Sequence, residues 1–145
     1  MNDACAIEYL ARATILIVED HDGIRRLLRE WLGDAFPQNT LRDVATGEEA
    51  VALAATELPG LVLMDIQLPK MNGIEATRQI KALSPRSRVV MLSSMDNVAL
   101  RIAASAAGAS AYVSKHGMRT DLIPVIEAMN ATLGAEDLPA SPGDP

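Results

Sequence analysis

Ile15-Leu16-Ile17-Val18-Glu19-Asp20 is four aliphatic residues in a row, followed by two acids. Nothing in the run alternates. A strand with one wet face alternates apolar and polar side chains, so a continuous run suits a strand covered on both faces, as in a parallel sheet. Two more runs read the same way. Leu61-Val62-Leu63-Met64 meets Asp65, and Val89-Val90-Met91-Leu92 meets Ser93. Residues 40–44 and 110–113 are weaker strand candidates, the latter followed closely by Lys115.

Helical patterns fill the intervals. Ile24, Leu27, Leu28, Trp31 and Leu32 recur at helical spacing after the first run. Arg25, Arg26 and Arg29 lie on the opposite, solvated side, and Asp22 is placed to cap that helix. Thr46-Gly47-Glu48-Glu49 reads as a capping box opening a second helix. A third spans 73–83 and stops before Ser84-Pro85. A fourth begins near Asp96 and ends at Gly108. A fifth begins at Thr120 and runs to about Leu133, with Pro124 near its first turn.

Strand and helix thus alternate five times. The expected fold is α/β, a five-stranded parallel sheet in the order 2-1-3-4-5 with helices on both faces, flavodoxin-like. Residues 13–132 form this domain, 1–12 an N-terminal extension, and 133–145, with Gly134, Pro139, Pro142, Gly143 and Pro145, a flexible tail or the start of a linker.

Composition removes several classes of function. One cysteine among 145 residues allows neither a disulfide framework nor a Cys-rich zinc site. Thirteen basic residues against 19 acidic ones give a net charge of −6, so direct nucleic-acid binding by this chain is not expected. No apolar run approaches the ~20 residues of a membrane span, and the N-terminus lacks a signal-peptide pattern, so the expected location is the cytoplasm.

In open α/β sheets the site forms at the carboxyl ends of the strands. Glu19 and Asp20 end the first, Asp65 the third, Ser93 the fourth and Lys115 the fifth. The first and third strands are central neighbours, so Glu19, Asp20 and Asp65 converge. Three carboxylates in one cleft repel unless a cation neutralises them, and an all-oxygen set points to a hard ion such as Mg²⁺. Adding a lysine and a hydroxyl suits a bound or transferred phosphoryl group, with Asp65 the candidate nucleophile.

These residues resemble the receiver domain of bacterial two-component response regulators. The matching stretches are Ile15-Leu16-Ile17-Val18-Glu19-Asp20-His21, Leu63-Met64-Asp65-Ile66-Gln67-Leu68-Pro69-Lys70-Met71-Asn72-Gly73, Val89-Val90-Met91-Leu92-Ser93-Ser94, and Gly108-Ala109-Ser110-Ala111-Tyr112-Val113-Ser114-Lys115. The spacings of 28 positions from 65 to 93 and 50 from 65 to 115 are those of the family. The resemblance implies that Asp65 is the phosphoacceptor and that Asp20 ligates Mg²⁺ directly, with Glu19 acting through water. It implies that the backbone carbonyl of Gln67 is a further ligand, that Ser93 and Lys115 bind the phosphoryl oxygens, and that Tyr112 is the switch aromatic.

The implied partner is a sensor histidine kinase or a phosphotransfer protein, which the first helix also meets. The implied output surface is the fourth helix, fifth strand and fifth helix. A homodimer on phosphorylation is expected through the small side chains of Ala103, Ala104, Ser105, Ala106, Ala107, Ala109 and Ala111, or through the first and fifth helices. His116 stands where many receivers carry a cis proline; together with His21 it fits the branch whose regulators bear a LuxR-type helix-turn-helix. Gln67 and Met95 occupy the positions that tune phosphoryl lifetime in the family.

Three other readings compete. A stand-alone receiver carrying phosphate in a relay has the same residues. An aspartyl-nucleophile phosphatase of the haloacid-dehalogenase type needs an acid where Gln67 stands. A flavodoxin-like cofactor binder needs a phosphate-cradling loop where Glu19-Asp20-His21-Asp22 is acidic.

Overall fold

The computed structural model describes residues 13–136. The expected extension, 1–12, and residues 137–145 of the expected tail lie outside them. Five strands, β1 (Thr14–Val18), β2 (Thr40–Val44), β3 (Leu61–Asp65), β4 (Arg88–Ser93) and β5 (Ala111–Ser114), alternate with five helices. The helices are α1 (Asp22–Ala35), α2 (Gly47–Glu57), α3 (Gly73–Leu83), α4 (Val98–Ala107) and α5 (Met118–Glu136). All four strand pairs are parallel, in the order β2-β1-β3-β4-β5.

Each central strand sends alternate side chains to two cores. Leu16, Val18, Val62, Met64, Val89 and Met91 pack under α2, α3 and α4, against Ala50, Ala54, Ala76, Ile80 and Ala104. Ile15, Ile17, Leu63, Val90, Leu92 and Val113 pack under α1 and α5, against Leu28, Leu32, Leu122 and Ile126. This is why the strand runs lack alternation: every position is inside. Edge strand β2, with a mixed TLRDV sequence, is exposed or half-buried throughout.

Several boundaries differ from the sequence expectation. His21, not Asp22, caps α1: its Nδ1 accepts the N–H of Ile24 at 3.1 Å, and Asp22 is the first helical residue. α4 begins at Val98, capped by Asn97, two residues past the expected start near Asp96. β5 starts one residue late, at Ala111. α5 begins at Met118 and extends to Glu136, so Pro124 falls in the helix interior and residues 133–136 continue the helix. Thr46 and Glu49 do form the expected capping box, with Thr46 Oγ1 accepting Glu49 N–H at 3.1 Å. Ala104 and Ala107 lie on the buried face of α4 and are unavailable to a partner. Val98 and Ile102, 71% and 63% exposed, face outward instead.

The loop after β3 decides where the site sits. Ile66 N–H still reaches Leu92 of β4 at 3.0 Å, and Gly73 N–H returns to the Ile66 carbonyl at 2.9 Å. The start of α3 therefore lies against the end of β3. A Cβ at residue 73 would stand 2.1 Å from the carbonyl oxygen of Asp65, which only glycine avoids. Among the described residues no helix is long and apolar enough to cross a membrane.

Candidate functional site

Glu19 leaves β1 with its N–H on the carbonyl of Val44 at 3.1 Å. Its carboxylate turns inward and is buried, with Oε2 accepting the N–H of His21 at 3.1 Å. Asp65, the last residue of β3, is also buried, and its Oδ1 accepts the N–H of Gln67 at 3.1 Å. Lys115 leaves β5 with its N–H on the Ser93 carbonyl at 2.8 Å. Its ammonium reaches across the sheet end to Glu19 Oε1 at 2.8 Å and Asp65 Oδ2 at 3.1 Å. Asp20 is exposed, yet one carboxylate oxygen from each of Glu19, Asp20 and Asp65 lies within 4.8 Å of the others. The convergence expected from strand order is therefore present.

One ammonium shared by two buried acids cannot serve both equally. Burial pushes the Asp65 carboxyl up and the neighbouring Glu19 charge pushes it further, against the pull of Lys115, to about 7. Burial acts on Glu19 too, but the Lys115 contact and the His21 N–H outweigh it and hold Glu19 below its ordinary range. Lys115 is held above its ordinary value because its two acid partners outweigh its burial.

A divalent cation fits this donor set. Three carboxylates offer oxygen only, two of them dehydrated, and the single ammonium leaves them under-neutralised. Gln67, whose carbonyl is the other expected ligand, stands on the same loop two residues past Asp65.

Ser93 ends β4 and is fully buried. Its Oγ accepts the N–H of Met95 at 3.0 Å and lies 3.1 Å from Gln67 Nε2 and 3.3 Å from Gln67 Oε1. Tyr112, half-buried on β5, donates its hydroxyl to the Met95 carbonyl at 2.6 Å. The guanidinium of Arg101 sits 4.5 Å from the centre of the Tyr112 ring and pairs with Asp96 at 2.7 Å.

Three contacts were not anticipated from sequence. The Gln67 amide engages Ser93, Met95 links Ser93 to Tyr112 by its main chain, and Arg25 donates to the Glu19 carbonyl at 2.8 Å. Main-chain contacts leave no mark on residue type. The spacing of Asp22 and Arg25 does signal their i,i+3 pair, and that pair is present at 2.6 Å.

The response regulator receiver domain family matches residues 15–127. The transcriptional activator protein ExaE of Pseudomonas putida is 40% identical over 101 residues, covering 70% of this chain and 47% of that protein. A two-component response regulator of the LuxR family from Aurantimonas sp. SI85-9A1 superposes with a TM-score of 0.72 at 33% identity, over 83% of this chain and 86% of that one. A CheY-like receiver domain protein from Methanospirillum hungatei JF-1 superposes with a TM-score of 0.79 at 28% identity, over 86% and 98%. The chain spans about half the length of the curated relatives it matches.

Proposed function

The chain belongs to the response regulator receiver domain family, and from that premise we propose that it is a phosphorylation-dependent switch loaded on Asp65 by a sensor histidine kinase or a phosphotransfer protein. The observation that carries this reading is the Lys115 ammonium held between Glu19 and Asp65, with Asp20 beside them. In the transfer, an Asp65 carboxylate oxygen attacks phosphorus as the bond from phosphorus to the donor's histidine nitrogen breaks. An acyl phosphate forms and the donor histidine is released. Asp65 attacks as the anion, so its proton leaves first.

Lys115 then pairs with a phosphoryl oxygen while keeping Glu19. Ser93 donates its hydroxyl to another, which takes that proton away from the Gln67 amide oxygen and shifts the Oγ that accepts the Met95 N–H. Glu19, Asp20 and Asp65, with the Gln67 carbonyl, would hold Mg²⁺. That ion supplies neutralisation of the charge shared by the acids and the phosphoryl group. Rearrangement at Ser93 is carried to Tyr112 through Met95, and so to the surface of α4, β5 and α5. The exposed Val98 and Ile102 of α4 make that surface suited to an output partner or to a second copy of the chain.

The test is incubation with acetyl phosphate and MgCl₂ followed by intact-mass measurement. One alkali-labile phosphoryl group is expected on the chain and none on Asp65→Asn. A stable phosphate on a hydroxyl residue would overturn the mechanism. With beryllofluoride, amide exchange across 93–117 should change. If it does not while the mimic is bound, the relay-carrier reading replaces the switch.

A further inference from the structure

Arg25 turns back over the loop that precedes it. Nη1 donates to the carbonyl oxygen of Glu19 at 2.8 Å, Nη2 to Asp22 Oδ1 at 2.6 Å, and Nε to Asp43 Oδ2 at 3.1 Å. Asp43 lies on β2, in register with Ile17 of β1, and its other oxygen takes Arg29. The next residue, Val44, accepts the N–H of Glu19. The three acceptors therefore belong to three separate pieces of chain: the end of β1, the start of α1, and β2. A planar guanidinium offers its donors in a fixed fork, so it sets the relative positions of all three. Glu19 is consequently held at both its N–H and its carbonyl, and the peptide that leaves it carries Asp20.

We propose that Arg25 is a positioning residue for the cation site, fixing the direction in which the chain delivers Asp20 to Glu19 and Asp65. This rests on reading those three acids as Mg²⁺ ligands. Asp20 needs such help because it is exposed, whereas burial and Lys115 already constrain Glu19 and Asp65.

Charge and geometry predict opposite signs here. Arg25 is a cation beside a cation site, so by Coulomb's law its removal strengthens Mg²⁺ binding. If it positions the loop, its removal weakens binding, and supporting residues behind metal ligands are typically worth about 10–100-fold in affinity.

The experiment is calorimetric titration of MgCl₂ into the full chain at constant ionic strength, with metal-free urea unfolding of each variant alongside. Arg25→Gln is expected to bind Mg²⁺ about tenfold more weakly. Arg25→Lys, which keeps the charge but gathers its donors on one nitrogen in place of the fixed fork, should fall between it and the wild type. Arg29→Gln, which shares Asp43 but not the Glu19 carbonyl, should bind no more weakly than wild type. Unchanged or tighter binding by Arg25→Gln overturns the proposal. Should Arg25→Gln fail to fold, Arg25→Lys decides, and wild-type affinity there overturns it equally. Asp20→Asn separates the two levels: unchanged affinity in that variant defeats the cation reading itself, whatever Arg25 does.

Discussion

Ser93 and Tyr112 are joined by a single residue. Met95 gives its N–H to the Ser93 hydroxyl at 3.0 Å and takes the Tyr112 hydroxyl on its carbonyl at 2.6 Å. Tyr112→Phe keeps the ring under Arg101 and removes only the second bond. A hydrogen bond of this kind contributes about 0.5–1.5 kcal/mol, so amides of residues 94–97 should exchange several-fold faster, with unfolding stability reduced by about 1 kcal/mol. Unaltered exchange there would show that the Tyr112 hydroxyl does not restrain the loop.

Asp65 makes the metal-free protein less stable as pH rises. Its carboxyl is pushed from an ordinary 3.8 up to about 7, so between those values the folded chain holds a proton that the unfolded chain has released. Raising pH through this window draws the chain toward unfolding, and the penalty is complete above pH 7. Glu19, held below its ordinary 4.5, acts in the opposite sense but only as pH falls below that value. Without divalent cation, Asp65→Asn should therefore be a few kcal/mol more stable than wild type at pH 8, and by less than half as much at pH 5. Urea unfolding at both pH values checks this. An equal difference at the two would assign the effect to something other than Asp65 titration.

Gly73→Ala is expected to be among the most damaging single substitutions. The added methyl meets the Asp65 carbonyl oxygen at 2.1 Å, and that atom belongs to a strand buried on both faces. Either α3 moves away from β3 or Asp65 leaves its place beside Lys115. A loss of about 3 kcal/mol or more in unfolding free energy is expected, together with weaker Mg²⁺ binding. Loss of less than about 1 kcal/mol, the typical effect of an ordinary substitution, would mean the loop relaxes freely.

The sheet and the pocket were legible in the sequence for one shared reason. Strands covered on both faces announce themselves by unbroken apolar runs, and in such sheets chemistry collects where the runs end. Helix phase was less legible. α4 reads Val-Ala-Leu-Arg-Ile-Ala-Ala-Ser-Ala-Ala, with small residues on every side, so nothing in composition marks Ala104 and Ala107 as the buried pair. Caps were ambiguous where two candidates adjoin, as at His21-Asp22 and Asp96-Asn97. Pro124 sits inside α5 although its ring removes one helical bond, because the packing of Leu122 and Ile126 beneath the sheet sets where that helix runs. The reach of Arg25 to a carbonyl six residues back was not legible, since its acceptor is main chain.

Every residue of the pocket stands at the carboxyl ends of the strands, and the opposite end of the sheet is made of the connections that lead into them. There, Pro37 and Gln38 are exposed, between Phe36, which closes α1, and Asn39, which ties back to Ala13 by its side chain at 2.8 Å. An exposed tip of this kind tolerates insertion. It is therefore the natural graft point for a fluorescent reporter, where a tag stands at the far end of the strands from Glu19, Asp65 and Lys115.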